Sequence, residues 1–423
     1  MKNFKHKISY IALCILFFPL RFFSYKFIHS LGNTIGAFIY YVIPLVRKRS
    51  LGNLALATDL KLDNQQIQKY AKESIQNLVI NCLEIEKLSF ESDVRAIATC
   101  ENPHIALDIL KQEKGIVFFC GHQANWEVLF LDASSRMQGG CIGKELSNPY
   151  LYQKLLKTRQ KFGGKVLTPK NASTEALNLL KHKKFIGIVG DLAILDSGYC
   201  SNFLGRNAWS SPLPALLAFK TNSPIIVLSC VRKNGHYFIK YSDPIWPDKS
   251  QPRELEIQRL MNTSIHLLCE SIKENPGQWL WSLYRWKQKH PGKIFNKYRI
   301  DCLGMIIPQA KDLQKDALEL LILFRKIYQT EYFILFAPKN LESLITIPLD
   351  DIIFYEEEKE CVKDDYRIKF LIDLSNNPSI SRHYKKLSAV RVLTLKDIAK
   401  ALPQKPNASW EDKLNAILIK PSK

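Results

Sequence analysis

Acidic residues are missing from the first fifty positions of the chain, and its ten cysteines form no Cys-x-x-Cys pair and no Cys/His cluster with zinc spacing. Several of the thiols, Cys14, Cys82, Cys120 and Cys230 among them, sit inside apolar runs. Small buried hydrophobes in a reducing compartment are used this way, which argues against a disulfide framework or a structural zinc. There is no zinc finger, no RNP-type motif and no uninterrupted basic tract, so nucleic acid is not an expected partner. No small-x-small cleavage site follows the apolar amino terminus, which sets a secretory signal peptide aside.

What the chain has is length and positive charge. At 423 residues it exceeds one ordinary core, so two domains are expected. Its formal net charge of +20 is unevenly spread. Asp301 to Lys423 carries 19 basic against 18 acidic residues, whereas residues 1–300 carry 41 against 22. Such an imbalance implies an acidic partner, either an anionic membrane surface or an acidic carrier protein.

Residues 1–50 read as a basic, apolar anchor. Lys2, Lys5 and Lys7 precede the run Ile8 to Phe18, which Pro19 and Arg21 interrupt. A second run, Leu31 to Val46, contains Gly32, Gly36 and Pro44 and ends in Arg47-Lys48-Arg49. Joined through Phe23, the first run reaches the length of a membrane helix only with Arg21 snorkelling. The charged flanks suit a cytoplasmic, anionic leaflet.

Beyond this, strands and helices alternate. Gly115 to Glu127 reads Gly-Ile-Val-Phe-Phe-Cys-Gly-His-Gln-Ala-Asn-Trp-Glu. Ile116 to Cys120 is a short apolar run of the kind that forms a strand covered on both faces, and Gly121 ends it. His122 then falls at the strand's carboxyl end, and Asn125 can cap a helix that holds Glu127 in its first turn. Open α/β sheets place their sites at such edges. An imidazole held by a carboxylate is a general base, so His122 with Glu127 is a candidate pair; a hydrogen-bonded turn histidine is the alternative. Phe185 to Val189 is a second strand ending at Gly190-Asp191. If it is a parallel neighbour of the first, Asp191 shares an edge with His122. Asn148-Pro149 opens a helix to Lys161 with a basic face that includes Arg159. Asp196-Ser197-Gly198 and Phe203-Leu204-Gly205 form a loop of small residues able to bring backbone N–H groups near a ligand. Further strands are expected at Ile225 to Cys230 and Tyr237 to Tyr241, with a long helix over Arg253 to Lys273. Three Trp and a Tyr beside Arg285, between Asn275 and Trp286, form either a core corner or an interfacial belt or acyl-chain wall. His290-Pro291-Gly292-Lys293 reads as a linker. The tail beyond residue 300 has strand-like runs at Tyr332 to Phe336, Ile352 to Tyr355, Phe370 to Leu374 and Val390 to Leu393, with a helix over Ala317 to Tyr328. It is a second, smaller α/β unit with no Gly-rich phosphate loop.

Taken together, Gly-His-Gln-Ala-Asn-Trp-Glu resembles the His-x4-acid signature of the glycerolipid acyltransferase superfamily. The resemblance is nearest to the late acyltransferases of lipid A biosynthesis, the lauroyl/myristoyl type. It spans most of residues 1–290 and includes Asn53-Leu54 after the Arg-Lys-Arg run, Asn148-Pro149 with Arg159 and Phe162-Gly163, and Gly190-Asp191. It continues through Phe203-x-Gly205, Ser223-Pro224, Gln278-Trp279-x-Trp281 and Arg285-Trp286. The resemblance implies an α/β fold with a mixed sheet flanked by helices and a single amino-terminal membrane helix. It implies a catalytic domain on the cytoplasmic face of the inner membrane, acyl carrier protein thioester as donor, and a Kdo-bearing lipid A precursor as acceptor. His122 and Glu127 match the family's catalytic pair, and Arg159 and Asp191 its further essential positions. The family usually ends soon after the Trp-rich block, so the tail is a departure; its runs suggest half of a glycosyltransferase-like Rossmann unit by analogy.

The resulting expectation is an anchor over 1–50, a catalytic domain over 51–295 and a tail domain over 300–423. No serine or cysteine sits in a nucleophile elbow, so direct O-acyl transfer with His122 as base is expected, without metal or other cofactor. Two other readings stay open. The acceptor can be another glycolipid, such as a phosphatidylinositol mannoside. Or the chain is a silent membrane-tethered adaptor working through its tail.

Overall fold

A computed structural model describes residues 2–195, 197–289, 294–375 and 377–420. The His290 to Lys293 linker and Asp196 of the small-residue loop lie outside the described residues. Four helices open the chain: α1 (Lys2–Phe17), α2 (Tyr25–Val42), α3 (Pro44–Leu56) and α4 (Asn64–Leu88). The chain forms two compact units, one of Met1–Val42 with Lys69–Leu280, the other of Ile43–Gln68 with Trp281–Lys423. The division therefore falls differently from boundaries at 50 and 300: the segment holding α3 goes with the tail.

The expected spanning helix is not there. Among the described residues no helix is long and apolar enough to cross a membrane. Pro19, which has no N–H to give, falls just after α1, and the chain continues as a 3-10 turn over Phe18–Phe22. Arg21 does not snorkel. It pairs with Glu86 at 3.0 Å, and its guanidinium lies 3.6 Å from the centre of the Phe18 ring. α2 instead packs closely on α4 through its glycines. A Cβ on Gly32 would stand 2.4 Å from the Ile80 side chain, and one on Gly36 2.4 Å from Gln76 Cα.

The first unit continues with β1 (Ala98–Cys100), α5 (His104–Lys111), β2 (Ile116–Cys120), α6 (Trp126–Arg136), β3 (Gly139–Ile142), α7 (Pro149–Gln160), β4 (Lys165–Leu167), α8 (Ala172–Lys181) and β5 (Phe185–Val189). Then come β6 (Tyr199–Phe203), β7 (Arg206–Ser210), α9 (Leu213–Thr221), β8 (Ile225–Lys233), β9 (His236–Tyr241) and α10 (Arg253–Glu274). Seven strands form one mixed sheet in the order β1-β9-β8-β2-β5-β3-β4. Every pairing is parallel except β8 with β9, which a tight turn joins through Asn234 and Gly235, both at positive φ. β2 lies at the centre and all five of its residues are buried. Each large apolar side chain so enclosed contributes about 2 kcal/mol, which is why this run contains no polar residue. β6 and β7 form a separate antiparallel hairpin, turning at Leu204 and Gly205, again both at positive φ. Phe203-Leu204-Gly205 is thus a hairpin turn with Leu204 buried, not an open loop around a ligand.

The second unit adds β10 (Cys302–Ile306), α11 (Lys311–Ile327), β11 (Tyr332–Pro338), β12 (Asp351–Tyr355), β13 (Phe370–Asp373), α12 (Pro378–Leu387), β14 (Arg391–Thr394), α13 (Leu395–Ala399) and α14 (Trp410–Leu418). Its five strands are all parallel, in the order β12-β11-β10-β13-β14. That is the doubly wound order of a Rossmann-type sheet, with its reversal between β10 and β13. α3 belongs to this unit through Asn53, whose amide donates to the carbonyls of Trp281 and Leu283, each at 2.6 Å. Trp279, Trp281, Trp286 and Arg285 are completely buried, so the Trp-rich block is core rather than interfacial belt.

Candidate active site

The first unit's sheet gathers the singled-out residues along one edge. β2 and β5 are parallel neighbours with Cys120 opposite Val189. His122 and Asp191 each follow two residues later, so the register alone brings them side by side. β3 is the next strand along, parallel to β5, and Gly143 just beyond it lies against Arg159. A Cβ at Gly143 would approach Arg159 Nη1 to 2.8 Å, so the bare backbone there makes room for the guanidinium.

His122 Nδ1 lies 2.6 Å from Asp191 Oδ1, and the His122 backbone N–H donates to Asp191 Oδ2 at 2.7 Å. The indole N–H of Trp279 donates to the same Oδ2 at 2.8 Å. Asp191 is thus a buried carboxylate with three donors. Burial works to raise its pKa, but the His122 charge and these hydrogen bonds outweigh burial and hold it below the usual carboxylate value. For His122 burial is also the largest single influence and works downward; the Asp191 charge and hydrogen bond, with a smaller effect from Glu127, leave the imidazole above its ordinary value. The ring packs edge-on to Trp126, centroids 4.7 Å apart. It keeps 16% of its side chain exposed, enough to be reached from outside.

Glu127 does not hold His122 by a hydrogen bond, as the sequence reading expected. It binds Arg159 in a two-pronged pair, Nε to Oε2 at 2.7 Å and Nη2 to Oε1 at 2.6 Å. The reason lies in the helix start. Asn125 caps α6 by accepting from the Glu127 N–H at 3.0 Å, which places Glu127 within the first turn and turns its carboxylate toward α7. α7 is fixed in turn by its own cap, Asn148, which accepts from the Tyr150 and Leu151 N–H groups. The four residues form two pairs, His122 with Asp191 and Glu127 with Arg159.

The corner between β2 and α6 is held by buried amides. Ala124 has a positive φ of 46°, a conformation unfavourable to a side chain. Its N–H donates to the Gln278 carbonyl at 2.8 Å, and its carbonyl accepts from Asn77 at 3.1 Å. The Leu280 N–H donates to the His122 carbonyl at 3.0 Å. Gln123 is bonded to Ser271 in both directions. Asn125 donates to Glu84, which also receives the Tyr237 hydroxyl and lies against His29. The segment Gln278 to Leu280 therefore clamps the corner between β2 and α6. The sequence marked Trp279 only as part of the Trp-rich block, not as a partner of Asp191; the signal available was that a buried indole N–H needs an acceptor.

Burial raises Cys120, and it pushes Cys141 up to about 12 against the opposing charge of Arg159. Among the described residues no three His, Cys, Asp or Glu side chains cluster so as to hold a metal ion. An imidazole carrying its proton on Nδ1, toward Asp191, leaves the Nε2 lone pair to take a proton from a substrate hydroxyl.

No curated protein matches the chain. Over residues 1–288, which include His122, Glu127, Arg159, Asp191 and the Gln278 to Leu280 segment, the sequence matches the model of the bacterial lipid A biosynthesis acyltransferases, and the chain belongs to that family of acyltransferases.

Proposed function

We propose that the protein transfers a fatty acyl chain from acyl carrier protein to a hydroxyl of a Kdo-bearing lipid A precursor, at the cytoplasmic face of the inner membrane. The observation that carries this reading is the His122–Asp191 pair on one sheet edge. Nε2 of His122 takes the acceptor's hydroxyl proton while Asp191 keeps the ring oriented and stabilises the imidazolium. The acceptor oxygen attacks the thioester carbonyl, the C–S bond breaks, and His122 returns the proton to the departing thiolate. Arg159 has two of its nitrogens on Glu127 and keeps Nη1 for the oxyanion or for an anionic group of the acceptor. The excess of 41 basic over 22 acidic residues in positions 1–300 favours docking of an acidic carrier protein.

Membrane association fits a helix lying in the interface. On α1, Phe4, Ile8, Ile11 and Ile15 follow one another at helical spacing and are 69%, 52%, 46% and 70% exposed. With Lys5 and Lys7 beside it, this stripe suits insertion among anionic headgroups.

The test is to incubate the protein with acyl carrier protein thioesters and tetra-acylated Kdo-lipid A and to look by mass spectrometry for one added acyl chain. Product is expected, and His122→Ala reduces its rate about 10²- to 10⁴-fold. No product from the natural protein would overturn the acceptor and donor; equal rates from His122→Ala would overturn the site.

A further inference from the structure

The second unit holds a cavity that acyl transfer does not use. At the amino-terminal edge of its sheet, Asp301 precedes β10 and Lys369 precedes β13. Lys369 Nζ lies 2.7 Å from Asp301 Oδ2 and 2.5 Å from Asn53 Oδ1. Gly52 makes this possible, since a Cβ there would stand 2.5 Å from Lys369 Cε. The one carboxylate is thus already committed to the one buried lysine.

Beside this pair lies a cavity of about 130 Å³, also lined by Arg49, Lys287, Lys297, Arg299 and Arg391. Among the described residues none of these five cations has a carboxylate within ion-pair distance. Arg49 and Lys287 instead share the ring of Tyr284, at 4.3 and 4.9 Å from its centre. The Arg299 Nε is buried and has no acceptor. The crowding is felt: burial first, then the charges of Arg299 and Arg49, press the Lys287 pKa below its ordinary value. Asp301 has the opposite need. Its side chain is only 5% exposed, and its Oδ1 has no donor. A buried acceptor left in this way costs about 1–3 kcal/mol.

The wall therefore presents several cations that lack an acceptor and one carboxylate oxygen that lacks a donor. A simple anion answers the first need and aggravates the second. A neutral sugar does the reverse. We propose that this cavity binds the head of a phosphorylated sugar or polyol, its phosphate held by Arg49, Lys287 and Arg299 and an adjoining hydroxyl donating to Asp301 Oδ1. The volume falls below the range that encloses a whole drug-sized ligand, so only the phosphate and its neighbouring carbons are seated and the rest extends outward. The ligand is either a soluble phosphate ester or the headgroup of a glycolipid. This site stands whether or not His122 transfers acyl groups.

Calorimetric titration of the full chain decides it. Glucose 6-phosphate is expected to bind about tenfold more tightly than ethyl phosphate, which carries the charge without the hydroxyls and so reports on Asp301 without altering the protein. Arg299→Gln and Lys287→Gln, at half-exposed positions, each weaken both esters about tenfold. Vesicles containing phosphatidylinositol monophosphate are compared with phosphatidylglycerol vesicles of matched charge. Arg299-dependent binding of the soluble ester assigns a soluble ligand. Arg299-dependent binding to the inositide vesicles alone assigns a lipid headgroup. Binding of neither, equal binding of the two esters, or binding unchanged in both variants overturns the proposal.

Discussion

Asp191 follows the carboxyl end of β5 in the first unit's sheet, and Asp373 is the last residue of β13 in the second. Both are almost fully buried, at 1% and 3% exposure. Asp191 accepts from an imidazole, a backbone N–H and an indole, and so fixes the orientation of a titratable ring. Asp373 accepts from the N–H and hydroxyl of Ser375, at 3.1 and 2.5 Å, and from the hydroxyl of Ser381. Hydroxyls at such a carboxylate stabilise a turn and give it no proton to relay. The histidine nearest in sequence, His383 on α12, spends Nε2 on the Lys363 carbonyl. Two sheet edges of the same kind thus differ in one respect that matters for chemistry: whether the buried carboxylate faces a titratable ring. A sheet edge with an aspartate is scaffolding until a base is set against it.

This contrast can be tested from each side. The largest effect is expected from Asp191→Asn, which keeps the shape but removes the charge that holds the His122 tautomer. Initial rates should fall about 10²- to 10⁴-fold. The acid limb of the rate profile should also move to lower pH. With His122 as the proposed base, the reaction needs it neutral, so rate rises as pH passes the imidazole's raised value; without the Asp191 charge burial prevails and that value drops. A rate profile unmoved by Asp191→Asn would mean that the pair is structural, like that of Asp373.

Next in size is Arg159→Ala. Glu127 and Arg159 are 13% and 14% exposed, so removing the guanidinium leaves a carboxylate charge largely out of water. Denaturant unfolding should show a loss of about 3 kcal/mol, partly restored when Glu127→Gln is added. A double variant no more stable than the single one would show that the pair is not coupled.

The smallest effect belongs to Asp373→Asn. It should cost about 1–2 kcal/mol through weaker hydrogen bonds to Ser375 and Ser381 and leave acyl transfer unchanged. Loss of transfer in that variant would erase the distinction between the two edges.

Much of this was legible in the residues. The runs Ile116 to Cys120 and Phe185 to Val189 coincide with β2 and β5, because a central parallel strand is a short, wholly apolar run bounded by glycine. The parallel pairing on which a shared edge for His122 and Asp191 was conditional is present. The helices over Arg253–Glu274 and Pro149–Gln160 were likewise marked by periodicity and by the Asn-Pro start. Two kinds of feature were hidden. β3 and β4 are short, and β3 opens on Gly139-Gly140, the first of which lies against the Phe185 ring, so neither strand shows an apolar run. The partner of Glu127 was the other. Five residues of spacing place it near His122 but do not say which way a carboxylate in a first helical turn points, and its partner comes from α7, far along the chain. Trp279 was hidden for the same reason: its role depends on a contact with Asp191 that only the folded chain makes. The amino-terminal span was misread because it rested on Arg21 snorkelling, whereas Arg21 pairs with Glu86 and the chain around Pro19 leaves the helix for a 3-10 turn.

The placement of α3 bears on how the protein is made. Each unit is assembled from two separated stretches of chain, and the Ile43–Gln68 stretch lies between the two pieces of the first unit. During synthesis α3 emerges long before Trp281, Leu283 and Lys369, the residues that Gly52 and Asn53 meet. The second unit therefore cannot close until Lys369 has been made. A gene cut after residue 288, where the family match stops, would encode α3 without the Lys369 that Asn53 binds. Any change to the tail around Lys369 is thus felt at α3, a helix encoded far upstream of it.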